Sequence, residues 1–203
     1  MSDPLQTRVT LLQKIHDHQN DAAWRDFVEL YTPFIYRFCC REGLAHDDAS
    51  DVVQETLRAV ASGIAKFEYQ PERAKFRTWL YRVARSKLNT FLRRKLKHPE
   101  GTGRSTIQRL VEEHPAEETE EWEMEYQRHM FRWAVSKVKH EFGDKVWSAF
   151  WKTAVEERPV KEIGEELEMS AGSIYAAKFR VINRLREKVE SVTGELEASF
   201  EIT

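Results

Sequence analysis

Thr78, Tyr81, Arg82, Arg85, Ser86, Asn89 and Arg93 fall at offsets of 0, 3, 4, 7, 8, 11 and 15, a spacing that puts them on one face of a helix. Cations at such a spacing attract phosphates, while the hydroxyl and amide groups can bond base edges. Just before them stand Phe67, Tyr69, Lys75 and Arg77, aromatic rings beside cations, a mixture suited to stacking on unpaired bases. The same aromatic residues can serve as plain core, and for Phe67 and Tyr69 the pattern leaves both readings open.

A second face carries the opposite charge. Asp47, Asp51, Gln54, Glu55 and Arg58 lie at offsets of 0, 4, 7, 8 and 11. A solvated exterior, a carboxylate metal cluster and a docking site for a basic protein all fit that spacing. Carboxylates on one straight helix point side by side rather than converging, and no His stands at ligand spacing from them, so catalytic metal chemistry is disfavoured. None of the seven His sits in a pattern linking nucleophile, base and orienter, which argues against an enzyme.

The third constellation lies near the C-terminus. Val160, Ile163, Gly164 and Leu167 give one short helical pattern, and Ile174, Val181, Leu185 and Val189 give another. Between them Glu168 to Gly172 forms a tight turn, with Ser170 placed to cap the second helix. Two helices so joined, the second one basic, suggest a helix-turn-helix. Helical phase then turns Ser173, Ala176 and Arg180 outward, with Tyr175 and Lys178 at the border and Arg184 further along. Residues early in such a helix, from Gly172, reach base edges, and later cations touch phosphates.

Charge is distributed to match. The net charge of −2 conceals two basic blocks separated by an acidic one. Lys66 to Lys97 holds eleven Lys/Arg against two Glu, a net of +9, and Ser170 to Glu190 holds five against two, a net of +3. His98 to Glu125 holds nine Glu against two Arg, a net of −7. The basic blocks point to a nucleic-acid partner, with a pair of solvated helix faces as the alternative that charge alone leaves open.

The elements that position these residues read as helices throughout. Trp24, Phe27, Val28, Tyr31, Phe34, Ile35 and Phe38 recur at spacings of three and four, the pattern of a helix with an aromatic core face. Pro33 is a candidate kink and Gly43 ends the run. Asp47 or Asp48 is placed to cap a second helix carrying Val52, Val53, Leu57, Val60 and Ile64. A third helix spans about Phe76 to Lys97, with Phe76, Trp79, Leu80, Val83, Ala84 and Phe91 inward. From His98 to Glu121 the periodicity gives way to Gly, Pro and clustered Glu, an exposed linker, after which Trp122, Tyr126, Met130, Trp133 and Val138 open a new helical pattern. The expectation is an all-α chain of two small helical domains, 1–97 and 122–203, joined by an extended acidic linker over 98–121. The 203 residues suit two compact domains. No apolar run is long enough to span a bilayer and no signal pattern precedes the first helix, so the expected location is the cytoplasm without a membrane partner. Cys39 and Cys40 are adjacent and lack the spacing of a zinc site or an ordinary bridge, which leaves them as core or boundary residues.

The ordered set resembles the extracytoplasmic-function group of bacterial sigma factors, which keep regions 2 and 4 of the larger sigma proteins. Asp48-Ala49-Ser50-Asp51-Val52-Val53-Gln54-Glu55-Thr56-Leu57 is similar to the family's polymerase-docking segment. Phe67 through Leu80, followed by Tyr81-Arg82-Val83-Ala84-Arg85, is similar to its promoter-melting loop and −10-reading helix. Glu162 to Leu167 and Met169 to Tyr175 are similar to its −35-reading helix-turn-helix. The resemblance implies that Asp47, Asp51, Gln54, Glu55 and Arg58 dock on the clamp coiled coil of the polymerase largest catalytic subunit. It implies that Phe67, Tyr69, Lys75, Arg77, Tyr81, Arg82, Arg85, Ser86, Asn89 and Arg93 read the −10 element. The −35 element falls to Ser170, Gly172, Ser173, Tyr175, Ala176, Lys178, Arg180 and Arg184. No cofactor is implied, and an anti-sigma protein stays open as a further partner. Ser86 and Thr90 depart from the family's frequent Asn and Asp, Glu168 from a common Gly in the turn, and Ala171 from a common Glu. The rival is a helix-turn-helix regulator of another kind, which leaves the docking segment and the basic third helix unexplained.

Overall fold

The computed structural model describes residues 11–17, 20–64, 76–97 and 120–193. Among them the chain is helical: α1 (Leu11–Lys14), α2 (Asp21–Arg41), α3 (His46–Gly63), α4 (Phe76–Lys97), α5 (Glu120–Val138), a 3-10 turn (Lys139–Glu141), α6 (Asp144–Ala154), α7 (Val160–Leu167) and α8 (Ala171–Thr193). No strand occurs among the described residues. Two compact units result, one of residues 11–126 and one whose described part begins at Gln127. The all-α, two-unit architecture is therefore as expected, and α4 is helical over the span that its apolar spacing predicts.

In the first unit α2 is the central helix, with α1 and α3 against it and α4 against α3. Asn20 caps it, its Oδ1 accepting the Ala23 N–H at 3.0 Å, and the helix runs through Pro33 to Arg41 without a break. Gly43 follows at φ 86°, a conformation that costs a glycine little. Phe27, Tyr31, Phe34, Ile35 and Phe38 of α2 are buried, as are Val52, Val53 and Val60 of α3 and Phe76, Leu80 and Leu88 of α4. Each full burial of this kind is worth about 1.5 to 3 kcal/mol, and the Phe27–Phe76 and Tyr31–Phe76 rings meet edge-on at 6.0 and 5.4 Å. The expected cap of α3 is corrected. Its N-cap is the extended Ala45, without a side-chain hydrogen bond, and Asp47 and Asp48 lie inside the first turn, where their charge meets the helix dipole.

Trp122 and Tyr126, placed by periodicity at the opening of the second domain, belong to the first unit. They are buried against Phe34, at 4.4 and 5.5 Å between ring centroids. The periodicity of α5 reports one continuous helix and carries no information about which core each of its turns enters. Of the expected linker, 98–119 lies outside the described residues.

The second unit packs α8 along α6, with α7 bridging both. Ala149, Ile163, Ile174 and Ala177 form a close-packed cluster, lined by Val146, Val160, Leu167 and Met169. Its turn is tight for a readable reason. The carbonyl oxygen of Gly164 accepts the N–H groups of both Glu168 and Met169, which requires Glu168 to adopt the left-handed conformation, φ 49° and ψ 53°. A Cβ on Gly164 would stand 2.9 Å from the Met169 carbonyl oxygen, so only glycine allows this approach. Ser170 then caps α8, its Oγ accepting the Ser173 N–H at 3.2 Å.

Candidate nucleic-acid interface

On α4 the periodic face divides in two. Arg82, Ser86 and Arg93 are exposed, and Thr78 and Asn89 are half-buried. Tyr81 and Arg85 are buried, which corrects their placement on the outward face. Successive residues turn by about 100°, so Tyr81 and Arg85 sit on the flank shared with Leu88 and Leu92, and packing covers that flank. Arg85 Nη1 lies 2.6 Å from Glu42 Oε2, with the guanidinium 6.0 Å from the Phe38 ring centroid. Arg77 is mostly covered and its Nε lies 2.6 Å from Glu123 Oε2. Phe67, Tyr69 and Lys75 lie outside the described residues.

The acidic face of α3 is intact. Asp47, Asp51, Gln54, Glu55 and Arg58 are all exposed, opposite the buried Val52, Val53, Thr56 and Val60. Arg58 bonds Glu55 and reaches Gln54 Oε1 at 3.2 Å, so the carboxylates of Asp47 and Asp51 dominate its first two turns. Asp48, one step round the helix, pairs with Lys95 of α4 and ties the acidic helix to the basic one. Among the described residues no group of His, Cys, Asp and Glu could hold a metal ion.

The third face belongs to α8. Ile174, Ala177, Val181 and Leu185 point into the core, which leaves Gly172, Ser173, Tyr175, Ala176 and Arg180 exposed, with Lys178 half-buried. Phe179, which sequence reasoning missed, is 66% exposed and Tyr175 58%. Phe179 was findable: it lies seven residues beyond Gly172 and off the inward stripe, so the helical period alone turns it out. Arg184, expected further along this face, is half-buried and paired within the unit. It holds Glu141 at 2.6 and 3.0 Å and Glu187 at 3.1 Å, and its hydrogen bond holds the Glu141 carboxyl below the usual carboxylate range. No described helix is long and apolar enough to cross a membrane.

A basic helix edge, an acidic exposed helix and a helix-turn-helix thus occur in one chain. The sigma-70 region 2 family model matches residues 27–97, which takes in most of α2 and all of α3 and α4. The ECF RNA polymerase sigma factor RpoE of Cereibacter sphaeroides is 27% identical over 79 residues, 39% of this chain and 42% of that relative. The match thus spans less than half of the relative's length. The helices that carry the acidic and basic faces are those matched by the sigma region 2 model, and over this part the chain is similar to an extracytoplasmic-function sigma factor.

Proposed function

We propose that the chain binds core RNA polymerase and directs promoter-specific initiation, its first unit reading the −10 element and its second the −35 element. The observation that carries the proposal is the region 2 match over 27–97 followed in the same chain by a helix-turn-helix whose second helix faces outward. The exposed acidic face of α3 docks on the clamp coiled coil of the largest catalytic subunit through Asp47, Asp51, Gln54, Glu55 and Arg58. The exposed edge of α4 holds the −10 strand through Arg82, Ser86 and Arg93. Extracting a base costs a few kcal/mol, which stacking at about 1 to 3 kcal/mol per base and phosphate contacts offset. The start of α8 enters the −35 groove with Gly172, Ser173, Tyr175 and Ala176, and Phe179 adds an apolar contact of the kind that a thymine methyl accepts.

The test is to mix the purified chain with core polymerase and a randomised promoter library. The expected outcome is co-elution with the core enzyme and transcripts that start downstream of a shared two-part sequence. Binding to DNA without co-elution would instead support the regulator reading and refute this one.

A further inference from the structure

The groove between α2 and α4 is filled by the first two turns of α5, a role that the initiation mechanism does not use. Trp122 is 2% exposed, its ring 4.4 Å from Phe34, 4.9 Å from Phe38 and 5.1 Å from Tyr81 between centroids. One turn on, Glu125 is 4% exposed, an unusual burial for a carboxylate, which loses several kcal/mol of hydration unless cations replace the water. The groove supplies them. Arg37 Nε lies 3.0 Å from Oε1 and Arg41 Nη2 lies 3.1 Å from Oε2. Glu123 takes Arg77 at 2.6 Å. The site is therefore built for an aromatic ring next to anions, and its surroundings are three guanidinium groups on the unit that carries the basic helix.

We infer that the α2–α4 groove is a receptor site for an acidic, aromatic helical segment, that residues 120–126 are its occupant in the isolated chain, and that this occupant competes with nucleic acid for Arg77 and Tyr81. The inference rests on reading α4 as the −10 helix. While Glu123 holds Arg77 Nε, that edge of the guanidinium is not open to a phosphate, and Tyr81 cannot stack on a base while Trp122 covers it. The segment carries four Glu in seven residues, the same sign as the backbone it displaces. Glu120 and Glu121 are exposed and lie outside the seat, so the competition depends on Glu123 and Glu125 rather than on charge in general.

The experiment measures binding of the full chain to a labelled pool of randomised single-stranded 12-mer DNA by fluorescence anisotropy, for wild type, E123Q/E125Q and the charge-matched control E120Q/E121Q. An occupant that fills the groove most of the time lowers apparent affinity by the open fraction, so E123Q/E125Q should bind about tenfold tighter than both others. A peptide copy of residues 118–128 added in trans should reverse that gain. Equal binding by E123Q/E125Q and E120Q/E121Q, or a gain that the peptide does not reverse, overturns the inference and makes residues 120–126 a fixed part of the first unit. The single E123Q, at a half-buried position, carries the same comparison should the double variant not fold. Failure of every variant and of wild type to bind DNA or to give promoter-specific transcripts with core polymerase would refute the initiation reading itself, an outcome distinct from equal binding.

Discussion

Arg85→Ala separates a structural cation from a reading one. The guanidinium is 6% exposed and pairs at 2.6 Å with Glu42, itself 20% exposed. Breaking a buried pair from one side costs about 3 to 5 kcal/mol, since the partner charge is stranded. Two features reduce the figure. Glu42 keeps some water, and Arg85 Nε and Nη2 have no hydrogen-bond partner among the described residues, so part of the desolvation cost vanishes with the side chain. The expected net loss is about 2 to 3 kcal/mol, which for a unit of this size lowers Tm by about 10 to 20 °C. Glu42→Ala and the double variant complete a cycle, read by thermal unfolding followed by circular dichroism, with strong non-additivity expected for residues in direct contact. Arg82→Ala, at an exposed position on the same helix, should leave Tm unchanged and lower the salt slope of DNA binding by about one unit. An Arg85→Ala protein with wild-type Tm and impaired promoter opening would refute the assignment and return Arg85 to the reading face.

Asp51→Arg with Glu55→Arg should abolish co-elution with core polymerase at unchanged Tm, because both side chains are exposed; wild-type co-elution would refute the docking face. Gly164→Ala gains about 1 kcal/mol of helix propensity but forces a Cβ to 2.9 Å from the Met169 oxygen, an overpacking cost of about 1 to 3 kcal/mol. The second unit should thus be less stable in urea and its −35 binding weaker. Burial pushes the Cys39 thiol up to about 12, so iodoacetamide at pH 8 should label Cys40 and spare Cys39, as peptide mass mapping would show. Hydrogen bonds from Lys152 and then Arg158 hold the Glu166 carboxyl below its usual range, as Arg184 does for Glu141. Their stabilisation is complete above the ordinary carboxylate pKa of about 4.3 and is lost as pH falls through the lower folded values; the urea midpoint should drop below that pH and not between pH 7 and 5.

What the sequence made legible follows from what periodicity can encode. The helical run of α4, the cap at Ser170 and the inward stripe of α8 are local, and the helical period or a capping hydroxyl specifies each. The width of a buried face is not local. Tyr81 and Arg85 share a face with Arg82 by spacing, and their burial depends on α2 and the head of α5, which come from elsewhere in the chain. Arg184 likewise looks like a cation on a DNA-binding helix until Glu141 and Glu187 are placed beside it. Trp122 and Tyr126 continue a periodic pattern that leads into the second unit, while their rings enter the first. Glu168 shows the reverse limit: the expected turn forms without glycine, because two hydrogen bonds to Gly164 offset the about 1 to 2 kcal/mol of a left-handed residue.

The division of α4 into two edges constrains how a −10 strand can be held. Arg82, Ser86 and Arg93 lie along the exposed edge and are available without rearrangement, and they offer cations and one hydroxyl but no ring. Tyr81 neighbours Arg82 on this helix, with Arg77 one turn earlier, and both meet residues 120–126. On the proposed −10 reading, phosphate attraction and base capture fall on different parts of the helix. The exposed cations are free to act first, and stacking on Tyr81 requires the acidic segment to leave. A strand held by the cations alone would bind weakly and with little preference among bases. Any partner that withdraws residues 120–126 from the groove would thus raise selectivity for an unstacked base together with affinity.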